Sequence, residues 1–174
     1  MTEREVTISE AEPLDAASVI QLMQQASLET DFISNAQDIA TATPDQVRGA
    51  LASIQSSLFD ICLLLKVDSE LVGLLNVATR DAETEPRDGD LFLVVLEAYQ
   101  GHGLGQLLME VALDWAMQTE LLNALSLEVQ VRNSRAIHIY KKYGFEIECV
   151  KRNEIKSKDG EDLDVYAMRK YLQK

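Results

Sequence analysis

Two runs of residues in this chain have the types and the spacing to do chemistry. The first is Val95-Leu96-Glu97-Ala98-Tyr99-Gln100-Gly101-His102-Gly103-Leu104-Gly105, which opens into a long apolar stretch with helical spacing. A buried strand that ends in a glycine-dense turn and continues as a helix is a way of holding a phosphate. The turn points consecutive backbone N–H groups at one spot, and the helix N-terminus adds its partial positive charge. The second run is Asn133-Ser134-Arg135-Ala136, followed by Tyr140 and then Gly144-Phe145. A helix with one well-placed tyrosine, returning from the next strand, delivers a proton donor beside whatever the phosphate carries. Together the two runs imply a group-transfer enzyme that uses a pyrophosphate-bearing carrier.

Other phosphate-binding turns do not fit. A Walker-type loop needs lysine followed by Ser or Thr after its last glycine, and Gln106-Leu107 stands there instead. A dinucleotide fingerprint starting at Gly101 needs glycine at position 106 and an acidic residue closing a second strand. Neither is present, since position 106 is Gln and Glu120 ends a helical stretch.

The elements that must position these residues follow from hydrophobic period and turn chemistry. Glu5–Ser9 alternates as a short strand, and Asp15 is placed to cap a helix carrying Val19, Leu22, Met23 and Ala26. Thr43-Pro44-Asp45-Gln46 reads as a capping box with proline at the first helical position. The helix it starts is expected to bury Val47, Ala50, Leu51, Ile54 and Leu58. Asp60–Val67 and Leu71–Thr79 form a hairpin, Thr79–Asp90 a charged loop, and Leu91–Leu96 a strand apolar on both faces. The glycine turn then feeds a helix from Gly103 to Thr119 with Leu104, Leu107, Leu108, Val111 and Trp115 inward. A strand over Leu125–Val131, a helix over Ser134–Tyr143 and a strand over Glu146–Lys156 follow. A turn at Lys158-Asp159-Gly160-Glu161 leads into a last strand, Leu163–Leu172. The order β-α-α-β-β-β-α-β-α-β-β predicts an α/β fold. Its mixed sheet is antiparallel early and parallel around the glycine turn, with helices on both faces.

Size and composition bound the reading. A chain of 174 residues, 47% hydrophobic, is expected to be one domain spanning 1–174 with a proper core. No apolar run is long enough to cross a bilayer, and Met1-Thr2-Glu3-Arg4-Glu5 lacks the order of a signal peptide, so a cytoplasmic protein is expected. Cys62 and Cys149 lie far apart in apolar runs without metal or redox spacing, so both are expected buried and reduced, with no metal. The formal net charge is −13, unevenly spread: residues 1–130 hold 22 acidic and 5 basic side chains, residues 131–174 hold 7 and 11. Such a surface argues against nucleic-acid phosphates as partners. It serves either solubility alone or the attraction of a cationic substrate such as an amine.

The run Gln100-x-x-Gly103-x-Gly105 after a strand resembles the acetyl-CoA-binding motif of the GNAT superfamily of N-acyltransferases. Asn133-x-x-Ala136-x-x-x-Tyr140-x-x-x-Gly144-Phe145 resembles the family's next motif, at the usual distance. The tail, from Gly144-Phe145-Glu146 through Lys158-Asp159-Gly160-Glu161 to Asp164-x-Tyr166-x-Met168, resembles a bacterial branch that acetylates amines or protein N-termini. The resemblance covers nearly the whole chain, tightest over 91–171 and looser over 1–60.

The resemblance implies a GNAT-like fold, acetyl-CoA as acyl donor, and a site built as follows. The backbone N–H groups of Gly101, His102, Gly103, Leu104, Gly105 and Gln106 hold the CoA pyrophosphate, with Gln100 where arginine or glutamine is usual. His102 either lends partial charge or is an ordinary solvated loop residue. The parallel strands splay just before the turn, and the pantetheine arm pairs with the backbone of Leu93, Val94 and Val95. The Val95 amide then polarises the acetyl carbonyl. Glu97 stands where proline is frequent in the family. Tyr140 matches the general acid that protonates the leaving thiolate, while Tyr143 is read as a core aromatic. Asn133 matches a cofactor contact and also sits where a helix N-cap belongs. Arg135 and Lys141 either reach the CoA phosphates or are solvated, and His138 is read as exposed. The base is Glu128, with Glu97 as its rival and an ordinary exposed strand glutamate as the alternative.

The implied acceptor is a small amine or a protein N-terminus, recognised through the first helices and the 79–90 loop; family members often dimerise. A longer acyl donor, or a non-catalytic acyl-CoA-binding module, are the competing readings.

Overall fold

A computed structural model describes residues 2–33, 36–79 and 87–172. Seven strands form one sheet in the order β1-β2-β3-β4-β5-β7-β6. They are β1 (Val6–Glu10), β2 (Ile61–Val67), β3 (Glu70–Thr79), β4 (Arg87–Val95), β5 (Leu122–Gln130), β6 (Glu146–Lys156) and β7 (Asp162–Tyr171). The helices are α1 (Ala16–Glu29), α2 (Ala36–Ala40), α3 (Pro44–Gln55), α4 (Leu104–Gln118) and α5 (Ser134–Lys142). Every neighbouring pair is antiparallel except β4 and β5, which are parallel. The mixed α/β sheet is therefore as its sequence predicts, with the short helix α2 as an addition.

The sheet is continuous but for one place. β4 pairs with β5 only from Arg87↔Leu122 to Asp90↔Ser126. Beyond Asp90 the two strands part, each still fully paired on its outer side: β4 with β3 as far as Val95, and β5 with β7 as far as Gln130. A wedge thus opens between Leu91–Val95 and Leu127–Gln130.

The core lies over β2 and β3, where both faces are buried: Leu63, Leu64, Leu65, Val72, Leu74, Leu75 and Val77 all exclude water. Helices α1 and α3 pack on β3 and β2, and α4 packs across β2, β3 and β4. The capping box of α3 forms as expected, with Gln46 N–H donating to Thr43 Oγ1 and Thr43 N–H to Gln46 Oε1.

Several expectations are corrected. Asp15 makes no side-chain cap on α1; its carboxylate accepts from Glu12 N–H at 2.8 Å, closing the short 3-10 turn Pro13–Asp15 instead. Of the predicted apolar face of α3, Val47 and Leu51 are buried, whereas Leu58 lies past the helix and is exposed. Helix α4 is rotated from the predicted face: Leu108, Met109, Ala112 and Ala116 are buried and Leu107 and Val111 exposed. β4 begins at Arg87, inside the predicted charged loop, because Arg87–Asp90 all pair with β5, and Gly89 and Asp90 pair with β3 as well. Residues 80–86 of that loop lie outside the described residues. Cys62 is buried, and burial pushes its thiol up to about 12; Cys149, on edge strand β6, is exposed rather than buried.

Candidate active site

The wedge leaves one edge of β4 without a strand partner. In an antiparallel ladder, alternate residues point their N–H and C=O to the same side. Leu96 N–H donates to Val72 O at 2.9 Å, toward β3, while Arg87 N–H donates to Leu121 O at 3.0 Å, toward β5. By that alternation Leu91, Leu93 and Val95 turn their backbone groups into the wedge. Val94 pairs with Leu74 on the β3 side. Of the three residues expected to pair with pantetheine, Leu93 and Val95 are thus placed to do so and Val94 is not.

Gln100 occupies this edge from inside the protein. Its Nε2 donates to Val95 O at 2.8 Å, so Val95 presents only its N–H to the wedge. A strand end stripped of its acceptor and left with a donor suits a developing oxyanion. Gln100 therefore serves the strand rather than reaching outward toward a phosphate.

The turn that follows is shaped by two glycines in the left-handed region, Gly101 at φ +81° and Gly103 at φ +78°. Side chains other than glycine seldom adopt that backbone. Gly103 is the N-cap of α4, and its carbonyl accepts Leu107 N–H at 3.0 Å. The amides of Gly103, Leu104, Gly105 and Gln106 have no acceptor among the described residues, as expected for a first helical turn. A Cβ built on Gly103 meets nothing within 4 Å, so the turn borders open space at this residue. Free amides at a helix N-terminus, with open space at Gly103, fit a pyrophosphate. Gly105 acts through close approach instead. Its Cβ position lies 3.7 Å from Val95 Cγ2 and 3.9 Å from Leu93 Cδ2, which brings the turn against the wedge edge. His102 is exposed beside the turn.

Helix α5 lies alongside. Asn133 caps it, its Oδ1 accepting Ala136 N–H at 3.3 Å. At its first turn, the terminal nitrogen of Arg135 comes 3.3 Å from the Cβ position of Gly101. At its last, Lys142 Nζ donates to Gln106 Oε1 at 2.7 Å. Tyr143, expected as a core aromatic, is half-buried against the core and also donates its hydroxyl to Glu110 on α4 at 2.8 Å. Lys141 and His138 are exposed.

Tyr140 lies between these anchors. Its ring packs edge-on against buried Phe145, with centroids 6.0 Å apart. The hydroxyl has no hydrogen-bond partner among the described residues, and burial pushes the phenol up to about 12. A desolvated, unpartnered phenol stays protonated at neutral pH and is available as a donor.

The carboxylates are distributed around the wedge. Glu128 is exposed on its β5 arm, on the opposite face from buried Leu127 and Val129, and forms an ion pair with Lys151 of β6. Glu97 is exposed in the 3-10 turn after β4. Two acidic residues with no motif to announce them also reach the site. Glu29, ending α1, accepts Glu97 N–H at 2.8 Å through Oε2. Asp31 accepts from Arg132 Nη2 at 3.0 Å and Lys158 N–H at 3.1 Å, and its carbonyl accepts Gln130 Nε2 at 2.7 Å. Residues 29–31 thereby strap the β4 arm to the β5 arm. Only the folded chain reveals this, because each bond spans 68 to 127 residues of sequence.

Among the described residues no group of three or more His, Cys, Asp or Glu is arranged to hold a metal, and no helix is long and apolar enough to cross a membrane.

Comparison with known proteins agrees with this architecture. A Streptococcus pneumoniae acetyltransferase of the GNAT family superimposes with a TM-score of 0.90 at 37% identity, covering 96% of this chain and 99% of that one. A Salmonella typhimurium protein solved with its cofactor acetyl-CoA superimposes with a TM-score of 0.80 at 20% identity, covering 98% of this chain and 95% of that one. The L-amino acid N-acetyltransferase AaaT of Escherichia coli (strain K12) is 28% identical over 106 residues, covering 61% of this chain and 65% of that protein, so the chain spans just under two thirds of its length. The family model described as acetyltransferase (GNAT) family matches residues 28–145. Splayed strands, glycine turn and family match together place the chain in the acetyltransferase (GNAT) family.

Proposed function

We propose that the protein is an N-acetyltransferase that passes the acetyl group of acetyl-CoA directly to a primary amine, either a small molecule or a protein N-terminus. The observation that carries this reading is the unpaired edge of β4, ending in a Val95 N–H whose own carbonyl is already occupied by Gln100. Acetyl-CoA, when bound, supplies a thioester as the activated acyl group.

In this reading the free amides of Gly101 to Gln106 bind the pyrophosphate, and the wedge-facing backbone of Leu93 and Val95 aligns the pantetheine arm. Val95 N–H stabilises the oxyanion as the amine attacks. Tyr140 gives its proton to the departing thiolate. An alkyl amine has a pKa of about 10.4 and attacks only when neutral, so a base must take its proton. Glu128 fits that role from the β5 arm, directly or through water, once it exchanges its pairing with Lys151 for the incoming ammonium. Asn133 acts by capping α5, which fixes the helix that carries Tyr140. A cytoplasmic setting suits both the donor and the exposed free thiol of Cys149.

The test is CoA release from acetyl-CoA across polyamines, aminoglycosides, free amino acids and short peptides with varied N-termini, with Tyr140→Phe alongside. A hit that depends on Tyr140 is the expected outcome and names the acceptor class. Tight acetyl-CoA binding with no release for any amine or peptide would favour the non-catalytic reading instead.

A further inference from the structure

We propose that Arg135 supplies the cationic contact to the carrier's pyrophosphate. This rests on the placement of the phosphate at the glycine turn. Four observations converge on it.

The side chain that precedes the turn, Gln100, is neutral and turned back onto Val95 O, and no arginine or lysine stands within the turn Gly101–Gln106. The Arg135 guanidinium takes up a place against the turn, 3.3 Å from the Cβ position of Gly101. Gly101 has no side chain to interpose between the guanidinium and the turn backbone.

Arg135 also makes no ion pair among the described residues, although the chain carries 29 acidic side chains against 16 basic ones. Its neighbour Arg132 is held by Asp31, so carboxylates are within reach of this loop. Finally, Arg135 is the second residue of α5, where the helix dipole disfavours a cation. Nothing in the stability of α5 calls for arginine there, whereas a doubly charged pyrophosphate over the turn does. A guanidinium gives that group a charge-assisted and geometrically forked contact, which backbone amides alone do not provide.

The experiment is isothermal titration of the full chain with CoA, dephospho-CoA and pantetheine. It compares the unsubstituted protein with Arg135→Ala, Arg135→Lys and Gly103→Glu. For an exposed cation, Arg135→Ala is expected to weaken CoA and dephospho-CoA alike by about tenfold, with pantetheine unchanged. Arg135→Lys should recover part of the loss, and the salt dependence of CoA binding should flatten in Arg135→Ala.

Unchanged CoA affinity in Arg135→Ala would overturn the assignment. So would a loss confined to CoA, which would move the contact to the 3′-phosphate, or an equal loss for pantetheine, which would make the role structural. Gly103→Glu separates the role of Arg135 from the placement of the phosphate. CoA binding that survives it would sink the placement itself, whereas abolished binding there with an intact Arg135→Ala affinity sinks only the role of Arg135.

Discussion

At the scale of single residues, the site is divided between groups that the sequence announces and groups that only folding brings in. Tyr140 is legible because it stands at a fixed distance from Asn133 and from Gly144-Phe145; its residue type alone would not separate it from Tyr143. The structure then distinguishes the two physically, one hydroxyl unpartnered and desolvated, the other spent on Glu110. Glu29 is silent in the sequence, since its relevance depends on a contact with Glu97 N–H that no local pattern encodes; Arg135 is named there only as either a phosphate contact or a solvated side chain, and its approach to Gly101 emerges on folding. For Tyr140→Phe we expect turnover to fall by about 10²-fold with acetyl-CoA affinity retained, because only the transition state uses the proton. With the phenol pushed up to about 12, the unsubstituted enzyme should show no loss of rate from its ionisation below about pH 11. A descending limb near pH ~9 that disappears in Tyr140→Phe would contradict that environment. Glu128→Gln should lower kcat/KM most at the pH values where the acceptor is still protonated. Equal loss at every pH would instead mark Glu128 as the surface partner of Lys151.

At the scale of elements, strand and helix identities are readable from period and turn chemistry, but the faces of α4 and the start of β4 are not. Periodicity counts large apolar residues, whereas the buried face of α4 joins Ala112 and Ala116 to Leu108 and Met109. The charged stretch Arg87-Asp88-Gly89-Asp90 reads as a loop, yet pairing with β5 throughout, and with β3 at Gly89 and Asp90, makes it a strand. Its charges are met by partners: Asp88 pairs with Arg169, and Asp90 accepts Ser126 Oγ at 3.0 Å. Gly89 sits there, one residue before the last β4–β5 pair, at the vertex of the wedge. A Cβ at Gly89 would stand 2.6 Å from Val77 Cγ1 and 3.2 Å from Leu125 Cδ2, methyl groups of the two flanking strands. Gly89→Ala should therefore cost about 1–3 kcal/mol by overpacking. Gly105→Ala, whose Cβ would make only ordinary contacts at 3.7 and 3.9 Å, should stay within about 1 kcal/mol of the unsubstituted protein. Urea unfolding of the two variants side by side checks this; similar midpoints would mean that the vertex yields and is not a rigid pivot.

At the scale of the whole molecule, the wedge is an interruption in the sheet, and something must keep its arms at a fixed spacing. The short run from Glu29 to Asp31 does so, reaching Glu97 N–H on the β4 side and Gln130, Arg132 and Lys158 on the β5 side. Its carboxylate at Asp31 gives this strap a pH dependence that can be read. The hydrogen bond from Lys158 N–H holds the Asp31 carboxyl below its ordinary value, and Arg132 adds to that against some opposing desolvation. A carboxylate lowered in the folded state contributes stability above its unfolded pKa, near ~3.9, and loses it as pH falls through the folded value. Asp31→Asn removes the charge while keeping the shape. The variant should melt below the unsubstituted protein at neutral pH. The difference should narrow as pH falls below the unfolded value and on through the lowered folded one, where the carboxyl takes up its proton. Thermal melts at matched ionic strength across that range make the comparison. A gap that stays constant with pH would mean that Asp31 holds the wedge by hydrogen bonding and shape alone, without using its charge.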